Sequence, residues 1–396
     1  MLSLEQAQAA ILERVQRATD VESVPLARAC DRYLAEPIAA RVDNPAFDNS
    51  AMDGYALRTA DLAAHTGVLP LAGASRCGDA PQPLAPGSAM RIYTGAPLPL
   101  GADAVAIQED VRVEPDGRVT LPLSTPPGNH LRRRGEDFRA GESLYDVGQR
   151  LRALDIALLG AAGIPDIKVY RRPRALVLAT GDELVAPGLP LKPGQIHESN
   201  RLPTLLQLAA LGAEAVDGGV VRDDVASLRA ALANTDDYDF VITSGGASVG
   251  DHDLVKQVFA ERGDIAFWKA RVKPGKPIAF GRLGPRAHFF ALPGNPVSSL
   301  VTFRLFVAPA IAAWHHAVPS ELMLMATAVN DFHRRPGRTE FLRAHLYSER
   351  DQLRVEALRG QGSHQLAALR HTNALIRIEA ESPGFAQGEV VRVLLL

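Results

Sequence analysis

Cysteine is nearly missing: the 396 residues include two, Cys30 and Cys77, which excludes a disulfide framework and a paired-thiolate zinc site. A basic surplus is missing too. Lys and Arg total 43 against 45 for Asp and Glu, a formal net charge of -2, so the chain has no general electrostatic grip on nucleic acid or anionic membrane. No run approaches the ~18 uncharged apolar residues that a membrane span needs. Met1 to Val15 carries Glu5 and Glu13 and lacks the basic start and apolar run of a signal peptide. Gly245 to Gly250 reads GGASVG, without the middle glycine of GxGxxG, and GxxxxGKS/T is absent. A nicotinamide dehydrogenase and a P-loop hydrolase are thereby disfavoured, and a cytoplasmic soluble protein is the expectation.

What is there is long enough for about two to four domains at roughly 100 to 200 residues each. Ser3 and Gln6 stand at capping-box spacing before Leu4, Ala7, Ile11 and Leu12, which predicts an N-terminal helix. From 44 to 129 prolines punctuate short runs such as Ala104 to Ile107. Val111 to Val113 and Arg118 to Leu121 flank Pro115-Asp116-Gly117, a hairpin signal within a β-rich insert. Helical spacing returns at Leu151 to Ala162, where the chain is expected to pack beside its first helix.

After the linker Arg171 to Arg174, apolar runs alternate with helical patterns. Strands are expected at 175–179, 215–221, 240–243, 278–280 and 288–292, with helices at 205–211, 224–233, 254–259 and 297–314. That alternation describes a doubly wound parallel sheet. Beyond Pro319 the pattern is β only, enough for a small barrel or sandwich.

Three of the α/β strands end in turns of small residues: Thr180-Gly181-Asp182-Glu183, Thr243-Ser244-Gly245-Gly246 and Leu292-Pro293-Gly294-Asn295-Pro296. Singly, each is an ordinary strand-to-helix connection. Together, at the carboxyl ends of strands in one open sheet, they predict a crevice that binds an anion. Asp182, Glu183, Asp223, Asp224, Asp251 and Asp253 cannot hold an anion themselves, but they suit a hard cation placed between protein and phosphate. Asp224 reads equally well as a helix N-cap. Lys273-Pro274-Gly275-Lys276-Pro277 puts two cations on a loop that cannot be helical, suited to a tetrahedral dianion; Lys269 precedes it. His197 and the pair His315-His316 lack a metal-ligand pattern and read as structural.

Asp48 to Ala56 (DNSAMDGYA), Thr94 to Pro97 (TGAP), Arg132 to Asp137 (RRRGED), Thr180 to Leu184 (TGDEL), Thr243 to Asp253 (TSGGASVGDHD), Lys273 to Pro277 (KPGKP) and Leu292 to Ser298 (LPGNPVS) occur in that order. The set closely resembles the MoeA family, the molybdopterin molybdenumtransferases related to the gephyrin E domain, over essentially the whole chain. The resemblance implies an α/β multidomain protein. Its parts are a helical N-terminal domain (1–43 and 130–170), a β-rich insert (44–129), a doubly wound molybdopterin-binding α/β domain (171–318) and a C-terminal β domain (319–396).

The family's activity, carried over, is insertion of molybdenum from molybdate into adenylylated molybdopterin, with release of AMP and Mg²⁺ as cofactor. By motif, Glu183 and Asp253 would hold the metal, and Gly181, Asp182, Ser244, Gly245 and Gly246 would line the nucleotide pocket. Pro293 and Pro296 belong to the same substrate-binding set. Lys273, Lys276 and Ser298 would face molybdate with Arg338 and Ser363, while Asp53, Thr94, Asp137 and Lys269 match other functional positions. The resemblance also implies a homodimer acting on small molecules, with the upstream adenylyltransferase and recipient molybdoenzymes as candidate protein partners. Two other readings are weighed. A molybdopterin adenylyltransferase would resemble the α/β segment only and lack DNSAMDGYA and RRRGED. A gephyrin-like scaffold without turnover would not need the acidic and lysine residues that are present here.

Overall fold

The computed structural model describes residues 1–245, 258, 261, 263–319 and 321–396. A six-stranded sheet organises the α/β segment in the order Glu214–Val221, Arg174–Thr180, Phe240–Ser244, Ala287–Leu292, Pro277–Leu283, Gly263–Lys269. The first four strands are parallel. Each of the last two pairs antiparallel with the strand before it, which corrects the expectation of a wholly parallel sheet. The cause is local: only 284–286 separate the Pro277–Leu283 and Ala287–Leu292 strands, with Gly284 at φ +63°. A connection that short closes a hairpin, whereas a parallel pair needs a crossover of a dozen residues or more.

The strands are apolar along their length because both faces are covered. One face packs on the helix Arg201–Ala210 and on the helical run Pro296–Trp314, and the other on Val225–Ala231. Of the helix expected at 254–259, Val258 alone is among the described residues, and it is helical. Pro296–Trp314 is long and apolar enough to cross a bilayer, but 78% of that window is buried in the protein, so here it is a core helix. Asp224 caps Val225–Ala231 by accepting from the Ser227 N–H at 2.7 Å.

Leu4–Arg14 forms as its sequence predicts. The Ser3 hydroxyl accepts from the Gln6 N–H and the Gln6 side chain accepts from the Ser3 N–H. Its buried stripe, Leu4, Ala7 and Ile11, however, joins the core of the α/β sheet and the Pro296–Trp314 run. The expected packing beside the second helix is therefore corrected. That helix, Ala153–Ala161, sits in a separate core with Leu34, Ile38 and Tyr145. The strands hold that core together more than helices do. Val21–Pro25 pairs antiparallel with Asp166–Tyr170, and Ile38–Ala39 with Ser143–Tyr145.

Arg171, read as part of a linker, is an anchor. Its guanidinium grips Asp239 through two hydrogen bonds at 2.7 and 2.8 Å, and Arg286 and the Arg174 N–H complete the shell of this buried carboxylate. Asp239→Asn should cost about 3–5 kcal/mol, because it leaves two arginines around a neutral amide. Urea unfolding measures this, and a loss below about 1 kcal/mol would class the cluster with surface pairs.

Between 49 and 132 the chain builds a four-stranded sheet, Leu71–Ser75, Ala89–Ile92, Gly54–Leu57 and Ala104–Ile107, and the expected hairpin of Arg112–Val113 with Val119–Thr120. The C-terminal strands close on themselves. Thr339–Glu349, Gln352–Ala357, Met323–Ala328, Val390–Leu395 and Ala374–Ile378 follow in order, and the last returns to pair with the first. A short strand of the α/β segment, Val272–Lys273, adds parallel to the outside of this barrel opposite Thr339 and Glu340. That seam sets up the site.

Candidate functional site

The three strand-end turns meet. Gly245 sits at φ +94°, and a Cβ there would lie 2.6 Å from the Thr180 carbonyl oxygen, so only glycine fits between the first two turns. Its N–H donates to Leu292 O at 3.1 Å, which ties in the third. Asn200 Nδ2 spans the junction, donating to Ser244 Oγ at 2.8 Å and to Gly294 O at 2.7 Å. The turns border a crevice of about 670 Å³ lined by Glu183, Ser244, Gly245, Pro293 and Pro296, with His197, Asp223 and His364 on its walls.

A second pocket of about 470 Å³ shares Pro277, Pro293 and Asn295 with the crevice. Lys273, Lys276, Ser298, Arg338 and Ser363 all line it. It lies at the seam between sheet and barrel. Gly275 lets the lysine loop press onto the helix that starts at Pro296, since a Cβ at Gly275 would approach Thr302 Cγ2 to 2.3 Å. The barrel contributes through the Ser363 carbonyl, which accepts from the Val297 N–H at 3.1 Å. Lys273 Nζ lies 2.8 Å from Glu340 Oε1, and Arg334 Nη1 holds Glu340 Oε2 at 3.3 Å. The wall is thus cationic apart from one buried carboxylate.

Acidic groups gather at the other end of the crevice. The Asp182 carboxylate accepts from the Asp223 N–H at 3.3 Å. Burial, and then the charges of Glu183 and Asp182, push the Asp223 carboxyl above its ordinary value. A Cβ on Gly181 would stand 2.5 Å from Glu183 Oε2, so that glycine makes room for the carboxylate. Gly181 and Asp182 adjoin the crevice without lining it. Gly246, Asp251 and Asp253 lie outside the described residues. Lys269 ends its strand opposite Pro277 and is not among the described residues that line either pocket.

Asp53, Thr94 and Asp137 form a separate polar surface. The Asp53 carboxylate accepts from the Thr94 N–H at 2.7 Å and from its hydroxyl at 2.9 Å, and these bonds hold the Asp53 carboxyl below the usual carboxylate range. Asn49–Ser50 pairs with Leu131–Arg132, and Asp137 Oδ2 accepts from Asn44 Nδ2 at 2.8 Å. DNSAMDGYA, TGAP and RRRGED therefore come together. Among the described residues, none of this surface lines the crevice or the cationic pocket.

Sequence reasoning assigns no role to Asn200, Glu340 or Arg343, and sets His197 aside as structural although it lines the crevice. Arg343 is buried, yet it has no carboxylate partner among the described residues. Its guanidinium donates to the carbonyls of Gly360, Gly362 and Gln365 and so shapes the loop that presents Ser363. The signal was available: an arginine inside the apolar run Phe341 to Leu346 must find acceptors. His315 and His316 are structural, stacked on Tyr33 and Tyr170.

Family models match three stretches of the chain: the MoeA N-terminal region (domain I and II) at 2–163, a probable molybdopterin binding domain at 176–313, and the MoeA C-terminal region (domain IV) at 325–396. The molybdopterin molybdenumtransferase of Haemophilus influenzae is 40% identical over 99% of this chain and 98% of its own length. That of Bacillus subtilis is 32% identical, over 96% and 91%. A crystal structure of the molybdopterin biosynthesis moeA protein from Pyrococcus horikoshii OT3 superposes with a TM-score of 0.84 at 30% identity, covering 100% of both chains. On these matches the chain belongs to the MoeA family of molybdopterin molybdenumtransferases and is an enzyme.

Proposed function

We propose that this enzyme takes molybdate and adenylylated molybdopterin, inserts molybdenum at the dithiolene and releases AMP. The observation that carries the reading is the pair of adjoining pockets, one cationic and one at the strand ends, sharing the wall of Pro277, Pro293 and Asn295. A tetrahedral dianion suits Lys276, Arg338 and the Ser298 and Ser363 hydroxyls, because charge-assisted donors give the strongest hydrogen bonds. The positive end of the Pro296–Trp314 run adds its field. In the crevice the small residues of the turns admit a phosphate, and Asn200 fixes the spacing of two of them. The two pockets would place molybdate beside the pterin end of the nucleotide, converting an encounter into a positioned reaction.

Mg²⁺ fits the acidic end. Asp182, Glu183 and Asp223 crowd there with no ion pair among the described residues, and burial together with the charges of Glu183 and Asp182 raises the Asp223 carboxyl. Mg²⁺ usually takes one or two carboxylates and completes its shell with phosphate and water, which the Glu183 side of the crevice can offer. Glu183, with Asp253, would hold it, and when bound it supplies positive charge to the phosphate oxygens. Glu183→Gln is expected to raise the Mg²⁺ concentration for half-maximal AMP release by about 10- to 100-fold. An unchanged Mg²⁺ titration would remove Glu183 from the metal site. The working form in this reading is a cytoplasmic homodimer that exchanges small molecules with the upstream adenylyltransferase and the recipient molybdoenzymes.

A further inference from the structure

Ser363 and His364 are neighbours in the chain, yet they line different pockets. Ser363 belongs to the wall of the cationic pocket, while His364 and Leu366 belong to the wall of the crevice. The two residues are the corners of a β-turn that runs from Gly362 to Gln365. The Gln365 N–H closes it onto Gly362 O at 3.0 Å, and Gln365 Oε1 accepts from the Gly362 N–H at 2.8 Å. A closed turn fixes the backbone of its two central residues together, so neither corner moves without the other. One four-residue unit of the barrel thus furnishes a wall to each pocket.

Arg343 holds that unit in place. It lines neither pocket and is only 1% exposed. With no carboxylate partner among the described residues, its guanidinium donates to the carbonyls at both ends of the turn, Gly362 and Gln365, and to that of Gly360 before it. A planar fork of five N–H groups can serve several carbonyls at once. Gln361 binds the same strand residue through its backbone, accepting from the Arg343 N–H at 3.0 Å and donating to Arg343 O at 2.9 Å. From the other side, the Val297 N–H holds the Ser363 carbonyl. A buried guanidinium without a counter-charge is costly, and here its acceptors are the loop's own carbonyls.

We propose that the Gly362–Gln365 turn serves both substrates at once, and that Arg343 is the residue that positions it, setting Ser363 toward molybdate and His364 toward adenylylated molybdopterin. This deepens the proposed function and rests on its assignment of the two pockets. Arg343 reaches neither substrate; it acts through the turn. Because the corners move together, loosening the turn costs the fit of both guests, whereas truncating one corner costs the fit of one.

Initial rates of AMP release, with each substrate varied against an excess of the other, give the two KM values separately. In Ser363→Ala the KM for molybdate should rise and that for adenylylated molybdopterin should stay near wild type. In His364→Ala the reverse is expected. Arg343→Lys should raise both, each by about tenfold or more, because a compact ammonium cannot span three carbonyls as the guanidinium does. Gln365→Ala loosens the same turn from the solvent side. Gln365 is exposed and lines neither pocket, and its truncation removes the bond to the Gly362 N–H. Both KM values should then rise about fivefold, the scale of one hydrogen bond. Thermal unfolding accompanies each assay. A merely structural role for Arg343 would lower the unfolding temperature and leave both KM values of the folded protein unchanged. If Arg343→Lys does not fold, Gln365→Ala decides. A rise in one KM alone, or in neither, in Gln365→Ala or in folded Arg343→Lys overturns the proposal, and so does a silent His364→Ala. Those results leave the proposed function standing, since they do not touch wild-type turnover. Wild-type AMP release indifferent to molybdate would remove the assignment of the cationic pocket, and the shared turn with it.

Discussion

Lys276→Ala is expected to lower molybdate-stimulated AMP release by about a hundredfold while leaving any molybdate-independent background unchanged. The two lysines of the loop are not equivalent. Lys273 shares its charge with Glu340, whereas Lys276 has no ion pair among the described residues, so the full charge of Lys276 is available to a guest. Removing one preorganised donor from a site where charge develops costs about 10²–10³ in turnover. The side chain is exposed and takes no part in the core, so the variant should unfold like the wild type. Chromatographic measurement of AMP at rising molybdate separates the outcomes. A wild-type response in Lys276→Ala would take Lys276 out of the pocket chemistry. Equal AMP release with and without molybdate in the wild type would contradict the coupling itself.

The part of this site that could be read in the sequence is the part built from local constraints. A strand followed by a small-residue turn is a local signal, and Gly181 is required by the Glu183 carboxylate two residues on, whereas the contacts that require Gly245 and Gly275, Thr180 O and Thr302 Cγ2, lie far along the chain. Long-range pairing was less legible. Leu4–Arg14 has a clear apolar stripe, but nothing in a stripe says which of two cores will bury it, and the sheet took it. The antiparallel edge of the sheet followed from a three-residue connection whose length is visible, although the apolar run on either side looks the same in parallel and antiparallel strands. Glu340 and Arg343 carry no role in the sequence reading because they lie on a barrel strand that otherwise reads as core. Their roles depend on the Val272–Lys273 strand and the Gly360–Gln365 loop, which meet them only in three dimensions.

A mixed dimer of Asp53→Ala and Glu183→Ala chains is expected to recover about a quarter of wild-type activity when each variant alone is inactive. The motivation is a separation within one chain. Asp53, Thr94 and Asp137 form a polar surface on the insert and the segment after it, while the described lining of the crevice and cationic pocket comes from residue 180 onward. If both sets serve one reaction, a second copy can bring its Asp53 surface to the first copy's crevice, and two-fold symmetry then gives two equivalent composite sites. Each variant should remain folded. Asp53 is half-buried at the surface, and its replacement removes the bonds its carboxylate makes to Thr94, while Glu183 stands at the crevice edge. In a mixed dimer one composite site carries both lesions and the other neither. Random exchange of equal amounts makes about half the dimers mixed, each with one intact site of two, which is the expected quarter. Sites contained within single chains would each keep a lesion, and mixing would restore nothing. Subunit exchange is followed independently with two affinity tags. If exchange is complete and activity stays at the level of the separate variants, the shared site is excluded, and the assignment of the cationic pocket to molybdate is unaffected.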